Sequence, residues 1–547
     1  MDRAGRQHSS KSRAGARFVV AVVAWWSVWA MSPPLALAAP GATQAVDGTQ
    51  ALGQRLGECL GREDPVCIRG VLEAVESATG AGFTLRYAKG YLALLEARFD
   101  RARELLGALA DDAAAPKVLR ERARSMARVA ASTATVVARH RPTPIVDGAF
   151  EVWVEPGPDE VLVPLFDEVL RRAAPALVKV FGPLPAAPIR IFVYGRAEQL
   201  AATTGLTETQ IKTSGTIAVC KYNRLMVTSP RALVFGYAYA DTVTHELVHL
   251  LVTRRGGDRV PVWLHEALAR SHEALWRGVA PGDLEREERV LLDRARRRRD
   301  WVTLRQMSPS IAALPSQERA QLAFAEVHHL LAWLLAPEGR SVQRLLDRFG
   351  AGDDAPSALA AMTGEPWART ESAWLRALRR GEGYEPPPPD AEAAMPLAFK
   401  GAGAGGKAAV SRGQRHVELG DRLLALERPL AAVLEYRKAM AKGATVDVMM
   451  ATRLGRALLA LGRLDEAASE VKAALARFAQ HAPLLLLAGQ VALGRGDAAQ
   501  ALEHAQQAAW HNPFDPGVPA LAAAALDALG KADAAASWRA RGRQIAR

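Results

Sequence analysis

A chain of 547 residues with 49% hydrophobic content can bury several separate cores, which excludes a largely disordered polar protein. Its net charge of +12 invites anionic partners. The densest basic cluster, Arg294 to Arg299, shares a helical stretch with Glu285, Glu287, Glu288 and Asp293, so it reads as a solvated helix face, and no aromatic-basic pattern for nucleic acid accompanies it.

At the start of the chain, Arg3, Arg6, Lys11, Arg13 and Arg17 precede an apolar run from Phe18 to Met31, and Ala36-Leu-Ala38 then offers a small-residue cleavage signal. Residues 1–38 are expected to be a secretory signal peptide, which sends the protein to the periplasm or outside the cell. A retained signal anchor is the alternative. No later stretch reaches transmembrane length, so no transmembrane domain is expected after signal removal. Of three cysteines, none has metal-ligand spacing. Cys59 and Cys67 either close a small loop around residues 61–65 or remain two reduced, buried thiols, and Cys220 reads as a buried small hydrophobe.

Residues 45–145 form a helical region by periodicity. Gly90 and Ala102 stand twelve residues apart within it, the spacing of small residues where two antiparallel helices approach closely. One hairpin that resembles a tetratricopeptide repeat, with further helices, is expected, beside the plainer reading of a generic helical pair.

The central region, 146–380, mixes elements. Phe150 to Glu155 and Pro188 to Tyr194 read as strands, separated by a helical stretch from about Asp159 to Phe181. Gly215 to Cys220 and Arg224 to Thr228 read as a hairpin around Tyr222 and Asn223. Next comes His245-Glu-Leu-Val-His249, in which two histidines four apart on a helix project from one face and can share an ion. Glu246, beside the first of them, sits where it can work on a water at that ion. Val243, Leu247, Leu250 and Leu251 recur as a buried stripe that seats the helix. Thr253 to Asp258 ends it with basic residues and two glycines, and Pro261 opens a second helix from about Val262 to Trp276. Glu266 lies one turn into that helix. Two histidines and a glutamate are a known three-ligand set for zinc with an open fourth position, whereas a structural site would want four.

The stretch from about Phe150 to Trp374 resembles the peptidase MA-like branch of the gluzincin metallopeptidases, in which the HExxH helix is followed by W-L-x-E-G-L-A. Here that segment is Trp263-Leu-His-Glu-Ala-Leu-Ala269, with Ala267 in place of the usual glycine. The resemblance covers somewhat under half of the chain and is specific at the two helices. It implies a zincin-like α+β domain in which His245, His249 and Glu266 bind Zn2+ and Glu246 polarises the water. Ala267 concerns helix packing and removes no ligand. The resemblance also implies that the edge strand beside the HExxH helix pairs with extended substrate, which makes the 215–228 hairpin the candidate substrate edge; a plain hairpin covering the core is the bland alternative. A partner for the charge that develops on the reacting carbonyl is needed as well. Tyr237, Tyr239, His272, His328 and His329 are the candidates, and none is decisive.

Residues 381–413 form a linker, first Pro-rich and then Ala/Gly-rich. In 414–547, Gly420, Gly455, Gly489 and Ala523 recur at 35, 34 and 34 residues, each with a matching alanine downstream: Ala432, Ala467, Ala501 and Ala535. Tyr436 and Val471 fill a larger position four residues after the first two alanines. This resembles tetratricopeptide repeats, which implies an array that binds a peptide or partner protein. The fold expected is therefore an α+β metallopeptidase domain, a small sheet plus the HExxH helix, flanked by all-α repeat regions. The function expected is an exported zinc-dependent hydrolase of peptide bonds acting on a peptide or protein substrate. The alternative is a catalytically silent repeat scaffold of the cell envelope.

Overall fold

The computed structural model describes residues 43–79, 82–308, 310–387, 400, 412–442 and 447–546. The expected signal peptide lies outside the described residues, as does most of the expected linker. No helix among the described residues is long and apolar enough to cross a membrane.

Among the described residues five helices come first: α1 (Thr43–Gly61), α2 (Pro65–Thr79), α3 (Phe83–Leu95), α4 (Phe99–Asp111) and α5 (Lys117–Val137). In the α3/α4 pair, a Cβ added at Gly90 would meet the Leu106 side chain at 2.6 Å, and Ala102 is fully buried. Close approach of the two helices therefore requires small residues at both points, as the twelve-residue offset suggests. These helices share one continuous apolar core with the central region, running from Leu56 to Leu378.

The central region is built on a five-stranded mixed sheet of β1 (Arg141–Ile145), β2 (Phe150–Val154), β3 (Ile189–Tyr194), β4 (Ala218–Lys221) and β5 (Arg224–Thr228), in the order β1-β2-β3-β5-β4. Pairing is antiparallel for β1/β2 and β4/β5 and parallel for β2/β3 and β3/β5. Strand β1 was not foreseen. Its sequence RPTPI has no apolar alternation, and its two prolines are tolerated because it runs along the exposed sheet edge. At the opposite edge, β4 begins at Ala218, three residues later than expected, because α8 and its Gly215 cap occupy the chain up to that point.

Helices α6 (Leu162–Phe181), α7 (Ala197–Thr204), α8 (Glu208–Ser214), α9 (Tyr239–Gly256) and α10 (Val262–His272) pack around this sheet, followed by α11 (Arg286–Arg298), α12 (Gln317–Leu335), α13 (Val342–Ala351), α14 (Ala355–Thr363) and α15 (Trp367–Arg380). Helix α6 starts later than the expected Asp159, because Pro158–Val161 form a 3-10 turn first. Likewise α10 stops at His272, and the last expected residues form a separate 3-10 turn, Leu275–Arg277.

The C-terminal region is four antiparallel helix pairs: α16 (Arg412–Ala425) with α17 (Pro429–Ala441), α18 (Val448–Ala460) with α19 (Leu464–Leu475), α20 (Ala482–Gly494) with α21 (Ala498–His511), and α22 (Gly517–Ala528) with α23 (Ala532–Ile545). The repeat glycines mark the crossings: a Cβ at Gly420 would lie 2.4 Å from the Tyr436 ring, and one at Gly489 would lie 2.5 Å from Leu521. The array has its own small apolar clusters. It also docks on the central region: Trp510, Phe514 and Ile545 pack on the main core, Trp510 meets Trp276 edge-on at 5.2 Å, and Tyr237 N–H donates to the His511 carbonyl at 2.8 Å.

Candidate metal centre

Helix α9 crosses beneath β4 and β5, and its residues Val243, Leu247, Leu250 and Leu251 are almost fully buried. That seat turns His245 and His249 toward α10, which Gly257, with φ +71°, and Pro261 bring back alongside. The His245 and His249 rings lie 4.7 Å apart. Glu266 Oε2 stands 3.3 Å from His245 Nε2 and 3.4 Å from His249 Nε2. One ligand atom from each of His245, His249 and Glu266 lies within 4.8 Å of the others, and each side chain keeps some exposure. Two nitrogens and one oxygen converging at this spacing can hold a zinc-sized ion with one position left open.

The electrostatics suit a cation. Burial opposes charge on His245, yet Glu266 and Glu273 outweigh it and raise the imidazole to about 10. Glu266 is likewise penalised by burial, but His249 and His245 hold it far below the ordinary carboxylate range. A positive ion placed among these groups would take over the role that the shared proton plays.

Glu246, next to His245 on the same helix, is 6% exposed. Burial, only partly offset by His249 and His245, raises its pKa, and the backbone N–H of Cys220 on β4 is directed at its carboxylate. Among the described residues its buried Oε2 has no hydrogen-bond partner, which suits a carboxylate that exchanges a proton with water or substrate. Cys220 itself is half-buried rather than fully buried, because β4 is an edge strand.

Sequence reasoning missed the group behind His245. Its Nδ1 lies 2.7 Å from Glu273 Oε2, which leaves Nε2 to face Glu266. Glu273 is paired with Arg270, and Arg270 also reaches Glu285 at 3.0 Å and Glu288 at 2.8 Å. Glu288 then accepts from His328 Nδ1 at 3.0 Å. A signal for Glu273 was present: it follows Glu266 by seven residues, two helical turns, which places both on one face.

The five candidates for stabilising the reacting carbonyl are tied elsewhere. Tyr237 OH donates to the Thr228 carbonyl, and Tyr239 is buried against Phe166. His272 Nδ1 contacts the Leu268 carbonyl at 2.8 Å, His328 holds Glu288, and His329 sits between the Glu382 carbonyl and Trp374. The nearest aromatic neighbour of His245 on α12 is instead Phe324, 6.2 Å away edge-on.

Residues 171–379, which hold His245, Glu246, His249, Glu266 and Glu273, match the Peptidase MA superfamily. The match covers under half of the chain. No curated protein matches the chain. Among solved structures, MamA aligns at 18% identity over 25% of this chain and 81% of its own, with a TM-score of 0.23. A thermophilic TPR protein of Thermus thermophilus aligns at 23% identity over 24% of this chain and 72% of its own, also at 0.23. The APC/C hetero-tetramer Cut9–Hcn1 aligns at 13% identity over 92% of this chain and 87% of its own, at 0.26. The repeat organisation of the C-terminal region rests on its helix pairs and their glycine crossings rather than on these alignments.

Proposed function

We propose that the protein is an exported zinc metallopeptidase with a zincin-like central domain, and that its C-terminal helix pairs are tetratricopeptide repeats recruiting a substrate or partner protein. The observation that carries the reading is the convergence of His245, His249 and Glu266 beside a buried, partnerless Glu246 oxygen. His245, His249 and Glu266 would hold the ion, with Glu273 fixing the His245 ring so that Nε2 faces it. Zinc, when bound, supplies Lewis acidity that polarises a carbonyl and acidifies water.

Glu246 acts as the proton carrier. Its burial raises the affinity for a proton, so it takes one from the attacking water and delivers it to the departing amine. The free edge of β4 would align an extended peptide by strand addition, with Cys220 at the level of Glu246. Incubation of the full chain with an unfolded protein mixture, followed by mass-spectrometric mapping of new N-termini, tests the reaction. Wild type should generate them and Glu246→Gln should not; equal cleavage by both would remove Glu246 from the chemistry.

A further inference from the structure

The segment between Cys59 and Cys67 is a clamp on the central domain. A disulfide joins the two cysteines across Cα atoms 5.5 Å apart, linking the end of α1 to the start of α2. All four residues from 61 to 64 then touch the central domain. A Cβ at Gly61 would meet the Asp258 carboxylate at 3.0 Å, just beyond the end of α9. Arg62 donates to the Gly350 carbonyl at 2.8 Å. Glu63 accepts the backbone N–H of Asn223 at 2.6 Å and the Tyr91 hydroxyl at 3.1 Å. Asp64 pairs with Arg254 at 3.0 Å, and Arg254 in turn donates to the Asn223 side chain.

These contacts converge on the β4/β5 turn. Tyr222 and Asn223 both have positive φ, +57° and +56°, the mirror-image geometry that suits a two-residue hairpin. Asparagine adopts that region readily and tyrosine only rarely, so the turn benefits from support outside the hairpin. Glu63 binds its backbone and Arg254 its side chain. The stakes are local: β4 pairs only with β5 among the described strands, and its Cys220 N–H points at Glu246. Wherever the turn sits, the free strand edge and the donor to Glu246 go with it.

We propose that Glu63 is a positioning residue for the β4 edge, and that the Cys59–Cys67 disulfide holds Glu63 in place. The meaning of that edge as a substrate site rests on the metallopeptidase reading; the positioning itself does not. A dithiol reductant would convert the disulfide to two thiols while forming its own disulfide, and the released loop would lose its grip on Asn223.

Hydrogen exchange of the full chain, read by mass spectrometry over residues 218–228, tests this with wild type, Glu63→Ala, Glu63→Gln and dithiothreitol-treated wild type. Loss of a carboxylate hydrogen bond should speed exchange at 218–224 about tenfold or more in Glu63→Ala. Glu63→Gln keeps an acceptor and should stay near wild type, whereas reduced wild type should follow Glu63→Ala. Exchange at 189–194 in β3 should not change. Unchanged exchange in Glu63→Ala, failure of Glu63→Gln to rescue, or equal acceleration in β3 would overturn the positioning role. Wild-type behaviour after reduction would overturn the part of the disulfide. Zinc content read on the same samples keeps the two readings apart: wild type without zinc would sink the metallopeptidase and leave the hairpin result standing.

Discussion

His245 Nδ1 lies 2.7 Å from Glu273 Oε2, so the imidazole that faces the proposed metal position is held from behind by a carboxylate that is itself held by Arg270. Such a partner fixes both tautomer and ring orientation. Glu273→Ala should therefore weaken zinc binding about 10–100-fold while leaving all three proposed ligands in place. Competition with a chromogenic chelator measures it. Unchanged affinity would mean that His245 is oriented by its backbone seat alone.

Glu288 is 3% exposed and serves three donors: Arg270 Nε at 2.8 Å, His328 Nδ1 at 3.0 Å and the Glu285 N–H at 2.8 Å. Burial pushes its pKa up, yet Arg270 and His328 together bring it down to about 2. Replacing it with alanine strands buried donors and should cost about 3–5 kcal/mol in urea unfolding. Because Arg270 also steadies Glu273, the same variant should bind zinc more weakly. A loss of stability under about 1 kcal/mol, the scale of an exposed ion pair, would show that the network is water-accessible.

Glu326 gives a pH prediction. It is 1% exposed and accepts the Val302 N–H at 2.9 Å, and burial raises its pKa from 4.5 to about 8. Its folded pKa exceeds the unfolded one, so the folded chain binds the extra proton between these values. The stability this contributes is complete below about 4.5, declines as pH rises, and is gone above about 8. Glu326→Gln mimics the protonated form. It should raise the melting temperature at pH 8 and flatten the decline across this window; a variant curve parallel to wild type would assign the pH dependence elsewhere.

Local patterns were legible in the sequence, and long-range pairings were not. The four-residue spacing of His245 and His249 and the seat of Val243 and Leu247 define α9 before any fold is known, and the glycine period defines the helix pairs. The strand β1 escaped because prolines mask an edge strand. Arg270 and Glu273 follow Glu266 in the same helical segment, but their partners Glu285, Glu288 and His328 come from α11, its cap and α12, and no periodicity announces that meeting. Glu63 and Asn223 are 160 residues apart, and only the shared core of the N-terminal helices and the sheet brings them together.

Zinc content of the purified chain, by elemental mass spectrometry with Glu246→Gln and Glu266→Ala alongside, tests the central claim most directly. Near one zinc per chain is expected in wild type and in Glu246→Gln, with the ion lost or much weakened in Glu266→Ala. No zinc in wild type, even after reconstitution, would contradict the metal centre and leave the helical repeats as the working part of the molecule.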